Sequence, residues 1–267
     1  ATAVRCAGLG ATVVLGARDS ARATETVEAI RGEVRGARLE VVALDLASLA
    51  STAEAAREFK RRFGRLDVLI NNAGVSPPDY RTTVDGFETT FAVNHLGHFL
   101  LTLELLDLLR ASAPARIINV ASSGHAGRLD LERLQTARGF NAVTAYRQAK
   151  LCNILFAREL ARRLTGTGVT ANAFHPGAVR TGLGRDLRGF LGMARAVMRP
   201  FLLQPEKSAE WLVQLAVAPE FAQVTGEYFE RNQPARPKAG ALNDQAAAAL
   251  WDVSERLTGA RSPSTAG

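Results

Sequence analysis

The chain has 267 residues, 47% of them hydrophobic and 22% charged, enough for one large domain with a well-buried core and too ordinary a balance for a disordered or fibrous protein. The formal charge is +7, but only four of the 33 basic residues are Lys, the Arg alternate with Glu and Asp in stretches such as REFKRRFGRLD, and aromatics are 6%, which argues against a nucleic-acid-binding surface. No run of about 20 apolar residues predicts a membrane-spanning helix, and Cys6 and Cys152 stand outside any metal or redox spacing, as buried, reduced thiols of a cytoplasmic protein do.

In chain order, Ala1 to Leu9 reads as the end of a short amphipathic helix and 11–17 as a buried strand, with Arg18 and Asp19 just past its tip. A polar helix follows over about 21–35, then the strand RLEVVALDL, ending at Asp45. Ser48 is the expected N-cap of a helix that runs to Phe63. LDVLINNAG is a short apolar run broken by its Asn pair and Gly74; a long helix is predicted over 87–110, and ARIINVASS is the next strand. A helix at 144–165 leads into GVTANAFHPG, another begins near Glu206, GEYFE is a last short strand and 243–257 a closing helix. Apolar strands separated by helices predict an α/β fold of Rossmann type, a doubly wound parallel sheet covered on both faces, forming one domain over 1–259 with a disordered tail at 260–267. Ligands of such folds sit at the carboxyl ends of the strands. Here those ends carry Arg18, Asp45, Asn71 to Gly74, Ser122 and Ser123, and His175 to Gly177.

In AYRQAKLCN, Tyr146 and Lys150 are four apart and share one face of a helix. A phenol titrates near pH 10. An ammonium within about 4 Å contributes about 4 kcal/mol at an effective dielectric near 20, before desolvation is set against it, and about 1.4 kcal/mol moves a pKa by one unit. Such a pair lets tyrosine exchange a proton with an alcohol or carbonyl; alone, it fits a surface pair as well. Upstream, INVASSG puts Ser122 just past a buried strand, NNAG ends the strand before it, and Asn94 lies inside the long helix, where an amide is neutral at best. Together these residues resemble the short-chain dehydrogenase/reductase superfamily. VNHLGHFLLT and the later GEYFE…ALWDVSERLTG are similar to its retinol dehydrogenase-like branch, and the likeness runs from Ala1 to about Gly259.

The resemblance implies an oxidoreductase that moves a hydride between a nicotinamide and the alcohol or carbonyl group of a small lipophilic molecule. It implies Tyr146 as the proton donor or acceptor, Lys150 as the group that lowers the Tyr pKa and bonds the nicotinamide ribose, and Ser122 (with Ser123 as the alternative) as the group that orients the substrate oxygen. Asn94 would hold, through its backbone, a water that links Lys150 to solvent. For the cofactor it implies Asp45 and Leu46 at the adenine, Asn72, Ala73 and Gly74 under the adenosine ribose, and Pro176, Gly177, Val179 and Thr181 beside the nicotinamide. Ala17 followed by Arg18 takes the place where an acid would bind the ribose 2′-hydroxyl of NAD; an Arg there accommodates a 2′-phosphate, so NADP is the expected cofactor, with NAD the alternative. Asp19 competes with this by pairing with Arg18 or turning into the next helix. The rival reading of the same fold is a non-catalytic dinucleotide sensor.

The family's phosphate-binding turn, T-G-x-x-x-G-x-G, is absent from the sequence. Gly8 and Gly10 follow the first helix, where glycine caps, so the resemblance implies that a first strand and its turn precede Ala1. His95 and His98 lack a third ligand and read as packing and hydrogen-bonding residues, not a metal site. Residues 178–205 mix Phe, Leu, Met and Arg and are expected to form a substrate lid, with helix packing and a membrane-surface helix as alternatives. The helices at 87–110 and 144–165 resemble those that pair subunits in relatives, as a homodimer or homotetramer; a membrane-attached monomer is the alternative.

Overall fold

The computed structural model describes residues 1–177 and 203–261. The expected contacts Val179 and Thr181, nearly all of the expected lid, and 262–267 of the expected tail lie outside those residues. Strands β1 (Thr12–Ala17) and β2 (Arg38–Ala43) pair in parallel, from Thr12 opposite Arg38 to Ala17 opposite Ala43. A second sheet runs in the order β3 (Val68–Asn71), β4 (Ala115–Val120), β5 (Val169–His175), β6 (Tyr228–Glu230) and β7 (Gln233–Pro234). All its neighbours are parallel except β7, which returns antiparallel on β6. The expected parallel strand set is thus present but divided: β1 and β3 each have a ladder partner on one side only.

The sequence explains which strands are deepest. Every residue of β5 is buried, as are five of the six in β4, because helices cover both faces and both edges are paired. Helices α1 (Thr2–Gly8) and α2 (Ser20–Glu33) pack on the small sheet, with Ala7, Val27, Ile30 and Leu39 forming a local cluster. Helix α3 (Leu49–Arg62) starts at Ser48, whose hydroxyl accepts the Ser51 N–H at 3.2 Å, as expected of its N-cap. The second strand stops at Ala43, short of the expected Asp45, because the chain turns away once Leu44 N–H has bonded Ala17.

The long helix expected at 87–110 is four pieces. These are α4 (Thr89–Phe91), a π-helical turn (Ala92–Leu96), α5 (Gly97–Glu104) and, beyond a break at Leu105, α6 (Leu106–Ala111). Helix α7 (Ala142–Arg163) begins two residues before the expected start, capped by Asn141, which accepts the Thr144 N–H at 3.0 Å. Helix α8 (Pro205–Val217) has Pro at its first position, and α9 (Asp244–Thr258) ends on Gly259 in the left-handed conformation.

Helix α9 closes the core. Trp251, 2% exposed, meets Phe99 edge to face at 5.0 Å and Phe156 at 5.8 Å, and the Arg163 guanidinium lies 4.2 Å from its ring centre. The helices expected to pair subunits therefore already have an intramolecular partner on this side. Trp251→Ala should cost about 3–5 kcal/mol of stability, the range for emptying a large aromatic site; urea unfolding of the two chains checks this.

Candidate active site at the strand tips

The tips of β3 and β4, the π-helical turn and the first turns of α7 converge on one group of side chains. Lys150, 4% exposed, donates from Nζ to the Val120 carbonyl at 2.9 Å, and Asn153 donates from Nδ2 to the same oxygen at 3.0 Å. Burial pushes the Lys150 ammonium down to about 8, and among the described residues no carboxylate forms an ion pair with it. One turn earlier stands Tyr146, its ring centre 5.8 Å from Lys150 Nζ.

Partial burial raises the Tyr146 pKa, and a hydrogen bond shared with the Ser122 hydroxyl pulls against that rise. Ser122 Oγ also accepts the Gly124 N–H at 3.1 Å, whereas Ser123 is exposed. Between the two serines, the structure sets Ser122 against Tyr146.

Asn94 is fully buried, with its carboxamide clamped on the Val75 backbone: Oδ1 accepts the Val75 N–H at 2.7 Å and Nδ2 donates to the Val75 carbonyl at 3.0 Å. An amide inside a regular helix has no such use, and the π-helical turn at Ala92–Leu96 is the departure that allows it. Below it, Glu88 starts the segment by accepting the Thr90 and Phe91 N–H groups at 2.8 and 2.7 Å. The expected packing role of the two histidines is what the structure gives. Ser254 Oγ donates to the Leu250 carbonyl and so accepts from His95 Nε2–H at 2.8 Å, tying α9 to the π turn. His98 Nδ1 lies 3.1 Å from the Asn94 backbone oxygen, on the backbone implied to hold a water.

The loop Asn72 to Gly74 is exposed above these groups. A methyl on Gly74 would stand 3.3 Å from Asn94 Oδ1 and 3.6 Å from Lys150 Nζ, so glycine keeps this approach open. Asp45 folds its own loop, accepting the Ala47 N–H at 3.0 Å, and Leu46 packs against α5 at Gly97, where an added methyl would meet the Leu46 carbonyl at 2.8 Å. At the tip of β1, Asp19 caps α2 through the Arg22 N–H at 3.1 Å and pairs with the Arg22 side chain. Arg18 is left exposed, with no ion pair among the described residues. Pro176 and Gly177 follow directly on β5, and Leu203 packs against the Gly177 α-carbon. His175, 6% exposed, has its Nε2 4.0 Å from Glu230.

Asn153 is the functional neighbour that sequence reading missed. The signal was available: it is the one polar residue in the buried run LCNILF, three after Lys150. Val75 has no such signal, because it acts through its backbone.

The profile of the short chain dehydrogenase family matches residues 1–190. The chain is 44% identical over 270 residues to human retinol dehydrogenase 13, covering 98% of this chain and 82% of that protein. Among solved structures it is similar to an uncharacterized protein from Mycobacterium Paratuberculosis, at TM-score 0.76 and 35% identity over 98% of this chain and 89% of that one. It is also similar to the Pseudomonas aeruginosa RhlG/NADP active-site complex, at TM-score 0.68 and 27% identity over 90% of each chain.

The buried ammonium has a stability cost with a definite pH dependence. Its folded pKa lies below the ordinary 10.5, so the unfolded chain binds more protons between about pH 8 and pH 10.5, and stability rises with pH across that window. Lys150→Met keeps the stem, and Asn153 still satisfies Val120. We expect about 1–3 kcal/mol of added stability at pH 7, shrinking towards pH 10, measured by urea unfolding at both pH values.

Proposed function

The chain belongs to the short-chain dehydrogenase family, and on that premise we propose that it is an NADP-preferring oxidoreductase acting on the alcohol or carbonyl group of a small lipophilic molecule. Membership makes it an NAD(P)-dependent oxidoreductase. The observation that carries the finer reading is the convergence of Ser122, Tyr146, Lys150 and Asn94 at the tips of β3 and β4.

The residues present fit a dinucleotide. Asn72, Ala73 and Gly74 offer an exposed shelf after β3, and in this reading Asp45 and Leu46 after β2 and Pro176 and Gly177 after β5 contact the same ligand. When bound there, the nicotinamide supplies or accepts the hydride. In our reading the Tyr146 hydroxyl gives its proton to the oxygen of a carbonyl substrate, or takes one from an alcohol, while Ser122 donates to that oxygen and fixes its place. Burial keeps Tyr146 protonated in the free protein, and Lys150 restores the proton from its place behind the ring. Asn94 holds the Val75 backbone beneath the shelf, so the loop and Lys150 keep one geometry.

The preference for NADP rests on Arg18, which Asp19 leaves unpaired by capping α2 instead. The retinol dehydrogenase relatives favour a retinoid-like alcohol, aldehyde or ketone as substrate. No helix among the described residues is long and apolar enough to cross a membrane; we place the protein in the cytoplasm, in keeping with the free Cys6 and Cys152. Any pairing of subunits through α5 and α7 would use the side that α9 leaves open.

Tyr146→Phe should lower kcat by about 10²–10⁴-fold with NADPH affinity changed by less than about threefold; a sensor would show no turnover to lose. Nicotinamide fluorescence and steady-state rates measure the two. Arg18→Ala should weaken NADPH about tenfold or more and leave NADH within about twofold, since only the 2′-phosphate loses a charged partner. Equal losses for both would remove Arg18 from the cofactor site.

A further inference from the structure

The turn that carries Ser122 is gripped from outside by the segment after β7. Within the turn, the His125 N–H donates to the Ser122 carbonyl at 3.1 Å, and the Gly124 N–H to Ser122 Oγ at 3.1 Å. Its far end is tied to α7, where the Ala126 N–H donates at 2.9 Å to the carbonyl of Arg147, the residue after Tyr146. Lys238 closes the third side. Its Nζ donates to the His125 carbonyl at 2.6 Å, and its backbone N–H to His125 Nε2 at 3.4 Å. Two residues on, the Gly240 N–H donates to the Gly127 carbonyl at 3.0 Å. The two chain segments cross so closely there that a methyl on Gly240 would stand 2.9 Å from the Arg128 α-carbon.

His125 is the hub of this grip. Its ring is 2% exposed and meets Tyr228 of β6 edge to face at 6.0 Å. A carbonyl only accepts, so Nδ1 donates to the Ala126 oxygen at 2.8 Å, and Nε2 of the neutral ring accepts from Lys238. Burial keeps the ring neutral by pushing its pKa down. Lys238 itself is exposed and forms no ion pair among the described residues. A surface lysine of this kind contributes little to folding; its side chain donates to the turn instead.

We propose that Lys238 is a positioning residue for Ser122: by bonding the His125 carbonyl and ring, it holds the turn Ser122–His125 where the Ser122 hydroxyl meets Tyr146. The turn is anchored to β5 at one end, by the Ala121 N–H on the Phe174 carbonyl at 2.8 Å, and to α7 at the other. Between those anchors its backbone has room to swing, and Lys238 removes that freedom. A shift of about 1 Å in a group that orients substrate costs up to about 10²-fold in rate.

The kinetic test rests on the oxidoreductase reading; a titration of Tyr146 does not. Lys238→Met keeps the stem and removes the ammonium. It should lower kcat by about threefold to tenfold, with NADPH affinity within about twofold. Lys238→Arg keeps a cationic donor and should recover most of that loss. In Ser122→Ala, the same Lys238→Met change should cost less than about twofold, because the group it positions is gone. Equal losses in the two backgrounds, no loss in the first, or no recovery by Arg overturns the proposal.

Without turnover, the whole protein reports through its three Tyr and four His, whose NMR signals can be assigned by substitution. Ser122 pulls the Tyr146 pKa down. Lys238→Met should therefore raise the Tyr146 midpoint towards that of Ser122→Ala, and leave it unmoved where Ser122 is already replaced. An unmoved midpoint in folded Lys238→Met overturns the proposal. Should that variant not fold, the wild-type His125 tautomer decides: Nδ1–H is expected, and Nε2–H overturns the proposal. If the wild-type protein transfers no hydride, the oxidoreductase reading fails while the Tyr146 midpoint still judges Lys238.

Discussion

One backbone oxygen organises this site. The Val120 carbonyl lies at the end of β4, one residue past the point where β3 stops pairing at Asn119, and it receives both Lys150 and Asn153. A buried carbonyl without donors costs about 1–3 kcal/mol, and so does a buried donor without an acceptor. Meeting on one atom, the three groups relieve one another. Both donors come from α7, and the register that seats them also brings Tyr146 to Ser122. The side chains at the surface of the site are placed by a contact beneath it.

The same trade appears in the segment before α5. Asn94 gives up regular helix geometry, and the helix takes a wider turn, so that one carboxamide can clamp Val75 from both sides. Gly97 then admits the Leu46 carbonyl at a distance no side chain would allow. A single stretch, Asn94 to His98, thereby touches the loop after β2, the loop after β3 and, through His95 and Ser254, helix α9. Local regularity is lost where three elements must be held at once.

Much of this was legible in the sequence for identifiable reasons. The strands are apolar runs with few alternatives, and Ser48 is a cap with a donor three residues on. The Tyr146 and Lys150 pair follows from helical periodicity alone. The break at Leu105 had no local signal, and the irregularity at 92–96 had only Asn94, an amide that a helix interior does not favour, so tertiary packing decides both. The fate of Asp19 was open because capping α2 and pairing with Arg18 use the same carboxylate, and only the backbone path chooses. Spacing also cannot show how dry a site is, and burial pushes the Lys150 ammonium down to about 8.

The division of the strands into two sheets has a consequence for how the molecule opens. The β1–β2 sheet with α1 and α2 has its own small apolar cluster, and the residues of β1 are only half covered, whereas the core around β4 and β5 is fully enclosed. Elements joined by few buried contacts exchange their amide hydrogens through partial opening rather than global unfolding. Among the described residues β1 and β2 are therefore the less enclosed ladder, and their amides should exchange before those of β4 and β5. Anything that bridges this ladder and the large sheet adds its binding energy to the less protected of the two.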